Sequence, residues 1–228
     1  MKKLAPHLPS ELVPEVLAAG WDEWDLCAIL AAVAPYRPAA EQPQAMADAL
    51  VAVAKIKNSS ERRHAFNSLV SNLPPTLLRE ALALERSLDL DQYGPRTLAL
   101  LASRLPESLL AECLEWIGSI PWEDEQAKLL VDVAPYLTPD LRPRALTTAL
   151  TITNAQDRAR AMAALAAHLL PPLQHHAIEA WLSMVPLLKR HEALKTLWQM
   201  LSVLMHLLTE TDVRLVARSI IDVGEWWP

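Results

Sequence analysis

The histidines are the first side chains whose types and spacing invite a chemical reading. His168, His175, His176 and His191 fall close together, and imidazole is the commonest metal ligand. On a helix, however, adjacent residues point about 100° apart, so a single ion would not readily take both His175 and His176. His168 ends the preceding helical pattern, across a turn from them. The four read as surface histidines, and neither a metal nor a cofactor is expected. The carboxylate pairs Glu112/Glu115 and Asp157/Glu179 have no candidate nucleophile beside them and nothing to raise a pKa, as general acid–base work requires. With 4 Gly in the chain there is no phosphate-cradling loop, and the dinucleotide, His-Glu-x-x-His and Gly-x-Ser-x-Gly patterns are absent. The chain is not expected to be an enzyme.

Charge patterning carries more. Glu15, Asp48, Glu80 and Glu112 share one outward position of successive proline-started helical patterns. Glu112, Glu115, Trp116 and Ser119 then fall at i, i+3, i+4 and i+7, on one face of one helix. Leu84 and Glu80 should lie beside them, and Glu179 carries a similar charge further along. An acidic strip around a tryptophan suits a basic peptide, since Trp is a frequent anchor and the acidic rim would steer. The competing reading is a solvated charged face with one partly packed Trp. The intervening helical patterns carry the opposite sign: His64, Arg96, Lys128 and Arg160 share one position, and Arg62, Arg158 and Arg190 another. Such a stripe could track phosphates of a nucleic acid; the competing reading pairs these bases with carboxylates of adjacent helices or leaves them solvated.

These side chains are positioned by a proline-punctuated phrase that recurs along the chain. It reads Leu4-Ala-Pro-His-Leu-Pro9, Val33-Ala-Pro-Tyr-Arg-Pro38, Leu69-Val-Ser-Asn-Leu-Pro74, Leu101-Ala-Ser-Arg-Leu-Pro106, Val133-Ala-Pro-Tyr-Leu-Thr138 and Leu165-Ala-Ala-His-Leu-Leu170, with a worn copy from Leu197. The first residues are 29, 36, 32, 32, 32 and 32 apart. A fixed period of this length marks an array of one supersecondary element, with copies near 4–32, 33–68, 69–100, 101–132, 133–164, 165–196 and 197–228. Within the copy 133–164, Thr138-Pro139-Asp140 reads as a helix start, and Asn154 with Asp157 as a second. One copy is thus two antiparallel helices. Ala49-Leu50, Ala81-Leu82, Cys113-Leu114, Ala145-Leu146 and Ala177-Ile178 share a mid-helix slot; Ile56, Leu88, Ile120, Ile152 and Met184 share the slot where that helix ends. A lone hairpin leaves an apolar stripe exposed, and stacking buries it. The expectation is an all-α solenoid, one domain of about seven stacked hairpins and about 13 helices, with no strands and with its first and last copies as caps. Trp181 reads as core, Trp21, Trp24 and Trp122 as wedges at turns, and Trp226 with Trp227 as cover for the last core face.

Proline-started hairpins of the form Leu-Ala-x-x-Leu-Pro-x-x-Leu-Leu-x-x-Ala-Leu resemble the HEAT-like repeats of bacterial multidomain signalling proteins. The closing Ile221-Asp-Val-Gly-Glu-Trp-Trp-Pro228 is similar to the end of such an array. The period lies below the roughly 40–47 residues of HEAT repeats and near the 34 of tetratricopeptide repeats, whose Trp, Gly and Tyr signature is missing. The resemblance implies a sensor or scaffold segment, of the kind found behind a signalling ATPase or a caspase-like protease. The expected function is therefore non-catalytic binding of a protein or peptide on the concave face, through Glu80, Leu84, Glu112, Glu115, Trp116 and Glu179. Self-association or attachment to a larger protein is compatible with it. Nucleic-acid binding through His64, Arg96, Lys128 and Arg160 is the alternative.

Composition agrees. The 228 residues are 52% hydrophobic but only 5% aromatic, so the core must be aliphatic. A net charge of −6 disfavours a surface built around phosphate contacts. Cys27 and Cys113 sit inside helical patterns as small hydrophobes, which fits a reducing cytoplasm. Met1-Lys2-Lys3 is followed by no signal-peptide core, and the apolar stretch from Leu197 to Leu208 is too short to span a bilayer.

Overall fold

The computed structural model describes Glu15, Ala19, residues 21–88 and 94–207, Arg214 and Arg218. Among these residues the chain is all-helical, with eleven α-helices and no strand. The helices expected before residue 20 and from Thr209 onward, with Trp226 and Trp227, lie outside the described residues, as do the side chains of Trp24 and Arg96. The chain divides into two compact units, Met1–Ser119 and Ile120–Pro228.

The first unit holds α1 (Glu23–Val33), α2 (Gln42–Lys55), α3 (Ser59–Val70), α4 (Leu78–Ser87), α5 (Gly94–Ala102) and α6 (Glu107–Ser119). Contacts sort these into two layers: α1 packs on α3 and α3 on α5, while α2 packs on α4 and α4 on α6. The layers are joined where α1 meets α2, α2 meets α3, and α4 meets α5. The second unit holds α7 (Glu123–Val133), α8 (Arg142–Thr151), α9 (Ala155–Ala166), α10 (Pro171–Met184) and α11 (Arg190–Leu207). Here α9 is central, packing on α7 and α11 of its own layer and on α8 and α10 of the other. Four of its seven buried residues are alanines (Ala159, Ala161, Ala163 and Ala166), so its neighbours can approach its backbone closely.

The repeated slots explain the layers. All ten residues of the mid-helix pairs are buried, as are Ile56, Leu88, Ile120, Ile152 and Met184, which stand where α2, α4, α6, α8 and α10 end. The proline phrase acts at the other corner. After α1 and α7, Ala34–Tyr36 and Ala134–Tyr136 each form a 3-10 turn with proline in its first positions, and the chain then becomes extended at Arg37 and Leu137. Asp22, Asn58 and Asn154 cap α1, α3 and α9 by accepting backbone N–H bonds from the first turn. At Trp122 no side chain caps α7, and that ring is 62% exposed, so it does not wedge a turn. Trp181 is buried.

One helix start differs from the expectation. Thr138-Pro139-Asp140 forms a turn, closed by the Leu141 N–H on the Thr138 carbonyl at 3.0 Å, and α8 begins at Arg142. Pro143 is the reason. It has no N–H and is tolerated only in a first turn, so a helix begun at Pro139 would carry Pro143 in its interior.

Candidate protein-binding surface

Five of the six expected binding residues lie in the first unit, on α4 and α6. Glu80 is exposed on the first turn of α4, and Leu84 is half-buried one turn later. On α6 Glu115 is exposed, while Trp116 is half-buried, with its carbonyl accepting from the Ser119 hydroxyl at 2.7 Å. Glu112 is held by two arginines that charge patterning did not single out. Arg79 Nη1 lies 2.8 Å from Glu112 Oε1 and 3.1 Å from Oε2, and Arg86 Nη2 donates to the Glu112 carbonyl at 2.6 Å. Both arginines come from α4, so they pin α4 to α6 within the layer of α2, α4 and α6 and offset one charge of the strip. The signal in the sequence was an offset of 33 residues between Arg79 and Glu112, close to the repeat period. Glu179 is exposed on α10, in the second unit.

A groove of about 430 Å³ lies between α1 and α2, where the two layers of this unit meet. Its α2 wall is Asp48, Val51, Ala52 and Lys55, the repeat positions of Glu112, Glu115, Trp116 and Ser119. Where α6 has a half-buried indole, α2 has a methyl group. Trp21 forms another wall and is 38% exposed.

The basic positions are largely engaged. Lys128 lies 2.5 Å from Glu125 and 3.4 Å from Asp124, both on α7, and its pKa is raised chiefly by the hydrogen bond to Glu125. Arg160 pairs with Asp157 on α9. Asp157 nonetheless has its carboxyl pKa raised, because burial outweighs the attraction of Arg160. For Lys128 and Arg160 the pairs form within one helix, three or four residues apart, an arrangement different from both the pairing between adjacent helices and the solvated bases that the sequence suggested. His64 is exposed and borders a cleft on α3. Nearby, Glu123 reaches from the start of α7 to the start of α9, accepting from the Thr153 N–H, the Thr153 hydroxyl and the Asn154 N–H at 2.7–3.1 Å. Those bonds hold its pKa below the usual carboxylate range.

Other chemistry finds no assembly. His175 Nδ1 lies 2.8 Å from the Pro171 carbonyl, His191 lies 3.2 Å from Glu192, and His168 has its pKa lowered by burial and by Arg142. Among the described residues, no group of three or more His, Cys, Asp or Glu is disposed to hold a metal ion. Burial pushes the Cys27 thiol up to about 11 and that of Cys113 up to about 12, which makes both poor nucleophiles. No helix among the described residues is long and apolar enough to cross a membrane. No protein-family model matches this chain, and no curated protein or solved structure matches it significantly.

Proposed function

We propose that this chain is a non-catalytic protein-interaction scaffold or sensor module. In this reading it is one α-solenoid of about seven hairpins in about 13 helices, and a protein or peptide lies along the proline-started helices on the concave face. The observation that carries the proposal is a contrast between acidic and basic repeat positions. Glu80 stands exposed on α4, on the helix of half-buried Leu84, with Trp116 half-buried on α6, whereas Lys128 and Arg160 are engaged by carboxylates of their own helices. A phosphate backbone would have to displace those carboxylates, while a basic peptide would meet an accessible acidic rim. The buried, unreactive thiols suit a cytoplasmic setting, and the resemblance to HEAT-like arrays of bacterial signalling proteins supports a scaffold role.

The test is differential capture. The full chain and its Glu80→Lys/Glu115→Lys variant are immobilised, exposed to lysate of the source cell, and their retained proteins compared by mass spectrometry. A specific set retained by the parent and lost on charge reversal is expected. Retention of nothing, or the same set on both, overturns the reading. A salt-dependent gel shift of RNA or DNA, weakened by Arg96→Glu and Arg160→Glu, would put the nucleic-acid alternative in its place.

A further inference from the structure

The last described helix, α11, buries one apolar face and carries a second one outward. Ala193, Thr196, Met200 and Val203 are buried, as are Ala159, Met162, Ala166 and Leu169 in the preceding hairpin, so the two sets correspond at an offset of 34 residues. At that offset Leu194 stands where Arg160 stands on α9, a position held by Lys128, Arg96 and His64 in the copies before it. Trp198 stands where the earlier copies have Ala164, Asp132, Leu100 and Ser68, all of them smaller. Leu194 is 48% exposed and Trp198 is 77% exposed, the most exposed large hydrophobic side chain among the described residues. Leu201 is half-buried. Spaced at i, i+4 and i+7, the three share one side of α11. The helix packs on α9 and α10, and that packing leaves Leu194 and Trp198 facing water. A helix that is apolar on two opposite sides is built to be covered on both.

Two properties of this outward side select what covers it. The first is symmetry. Trp198 lies close to the midpoint of Arg190–Leu207, with Leu194 four residues before it and Leu201 three residues after. The second is charge. Lys189, Arg190 and Lys195 are exposed at or near the N-terminal half, with Glu192 as the one carboxylate among them, whereas residues 196–207 include no Asp, Glu, Lys or Arg. A parallel pair of such helices would set cations against cations. An antiparallel pair about a two-fold axis at Trp198 sets Leu194 of each copy beside Leu201 of the other. It also sets each cluster of cations beside an uncharged stretch and opposes the two helix dipoles. An acidic partner would match only the N-terminal half of this side.

We infer that α11 pairs antiparallel with α11 of a second copy of this chain, with Trp198 as the anchor on the two-fold axis. Tryptophan is among the side chains that most often dominate an interface. The pairing goes beyond the binding of a partner at α4 and α6 and uses none of the residues named there.

Sedimentation velocity of the full chain between about 1 and 100 μM should show a monomer–dimer equilibrium. Its melting temperature should rise with concentration. Trp198→Glu should raise the dimer Kd about a hundredfold, and Leu194→Arg, which restores the charge of the earlier copies, about tenfold. Both side chains face water, so both variants should keep the far-UV circular dichroism of the parent. Orientation is read by crosslinking, since Cys27 and Cys113 are buried. Under mild oxidation a mixture of Leu194→Cys and Leu201→Cys chains should form mixed disulfide dimers faster than either variant alone. In the antiparallel pair two copies of residue 194 stand about 12 Å apart along the helix axes. A monomer at every concentration, a dimer that survives Trp198→Glu, or faster crosslinking of like with like would overturn the inference. A monomer that binds phosphatidylserine vesicles through Trp198 would give this side to a membrane and overturn it as well. None of these outcomes bears on capture at Glu80 and Glu115, so the two readings fail separately.

Discussion

Asp132 shows how a single residue can depart from its repeat. Its position is held elsewhere by Ala32, Ser68, Leu100 and Ala164. On α7 its Oδ2 is buried with no hydrogen-bond partner among the described residues, and burial pushes its pKa up to about 6. A carboxyl whose folded pKa is raised costs stability only when charged. The cost is therefore absent below about pH 3.8, grows between there and pH 6, and is complete above it. Asp132→Asn should stabilise the chain at pH 7.5 by about 1 kcal/mol, after discounting for partial exposure, and leave it unchanged near pH 3.5. Urea denaturation at the two pH values checks this; an equal gain at both would show that charge is not the cause. Nothing in the sequence near Asp132 marks it, because its burial comes from packing against other helices.

At the scale of elements, the sharpest departure is a buried ion pair between α3 and α4. Arg63 Nη1 lies 2.8 Å from Glu85 Oε1, and the two side chains are 2% and 0% exposed. At the same repeat positions the chain has Cys27 with Val53, Ala127 with Ala149, and Ala159 with Trp181, all buried. Removing one partner leaves a charge in a site built for side chains of that apolar kind. Arg63→Met or Glu85→Leu alone should cost about 3–5 kcal/mol, and both together far less, measured as a double-mutant cycle in chemical denaturation. A near-additive cycle would mean the pair does not act as one. The pair was invisible to periodicity, which counts any charged residue as surface. The core slots of α2, α4, α6, α8 and α10 were visible, because two apolar residues per helix recur at a constant spacing. The start of α8 was misplaced for a local reason, the second proline at Pro143, whose geometric demand outranks the favourable cap at Thr138.

At the scale of the molecule, the proposed function makes the net charge of −6 and the exposed carboxylates of α4 and α6 the features that would steer a basic partner. If steering matters, association with a basic partner should slow by about tenfold between 50 and 300 mM salt while dissociation changes little, measured by stopped-flow or surface plasmon resonance. Salt-independent association would place recognition on the apolar residues alone. The sequence by itself determined the all-helical class, the apolar slots, the capping residue Asn154, and the burial of Trp181. All of these follow from local propensity and from a short period that each helix expresses on its own. Only the tertiary structure decided which charges are used up. Arg79 and Arg86 on Glu112, Glu123 on the start of α9, Arg63 on Glu85, and Arg104 on the Val70 carbonyl all join residues 22 to 34 apart. Charges so far apart in sequence meet only once helices have packed, and packing sets whether a carboxylate faces an arginine or water.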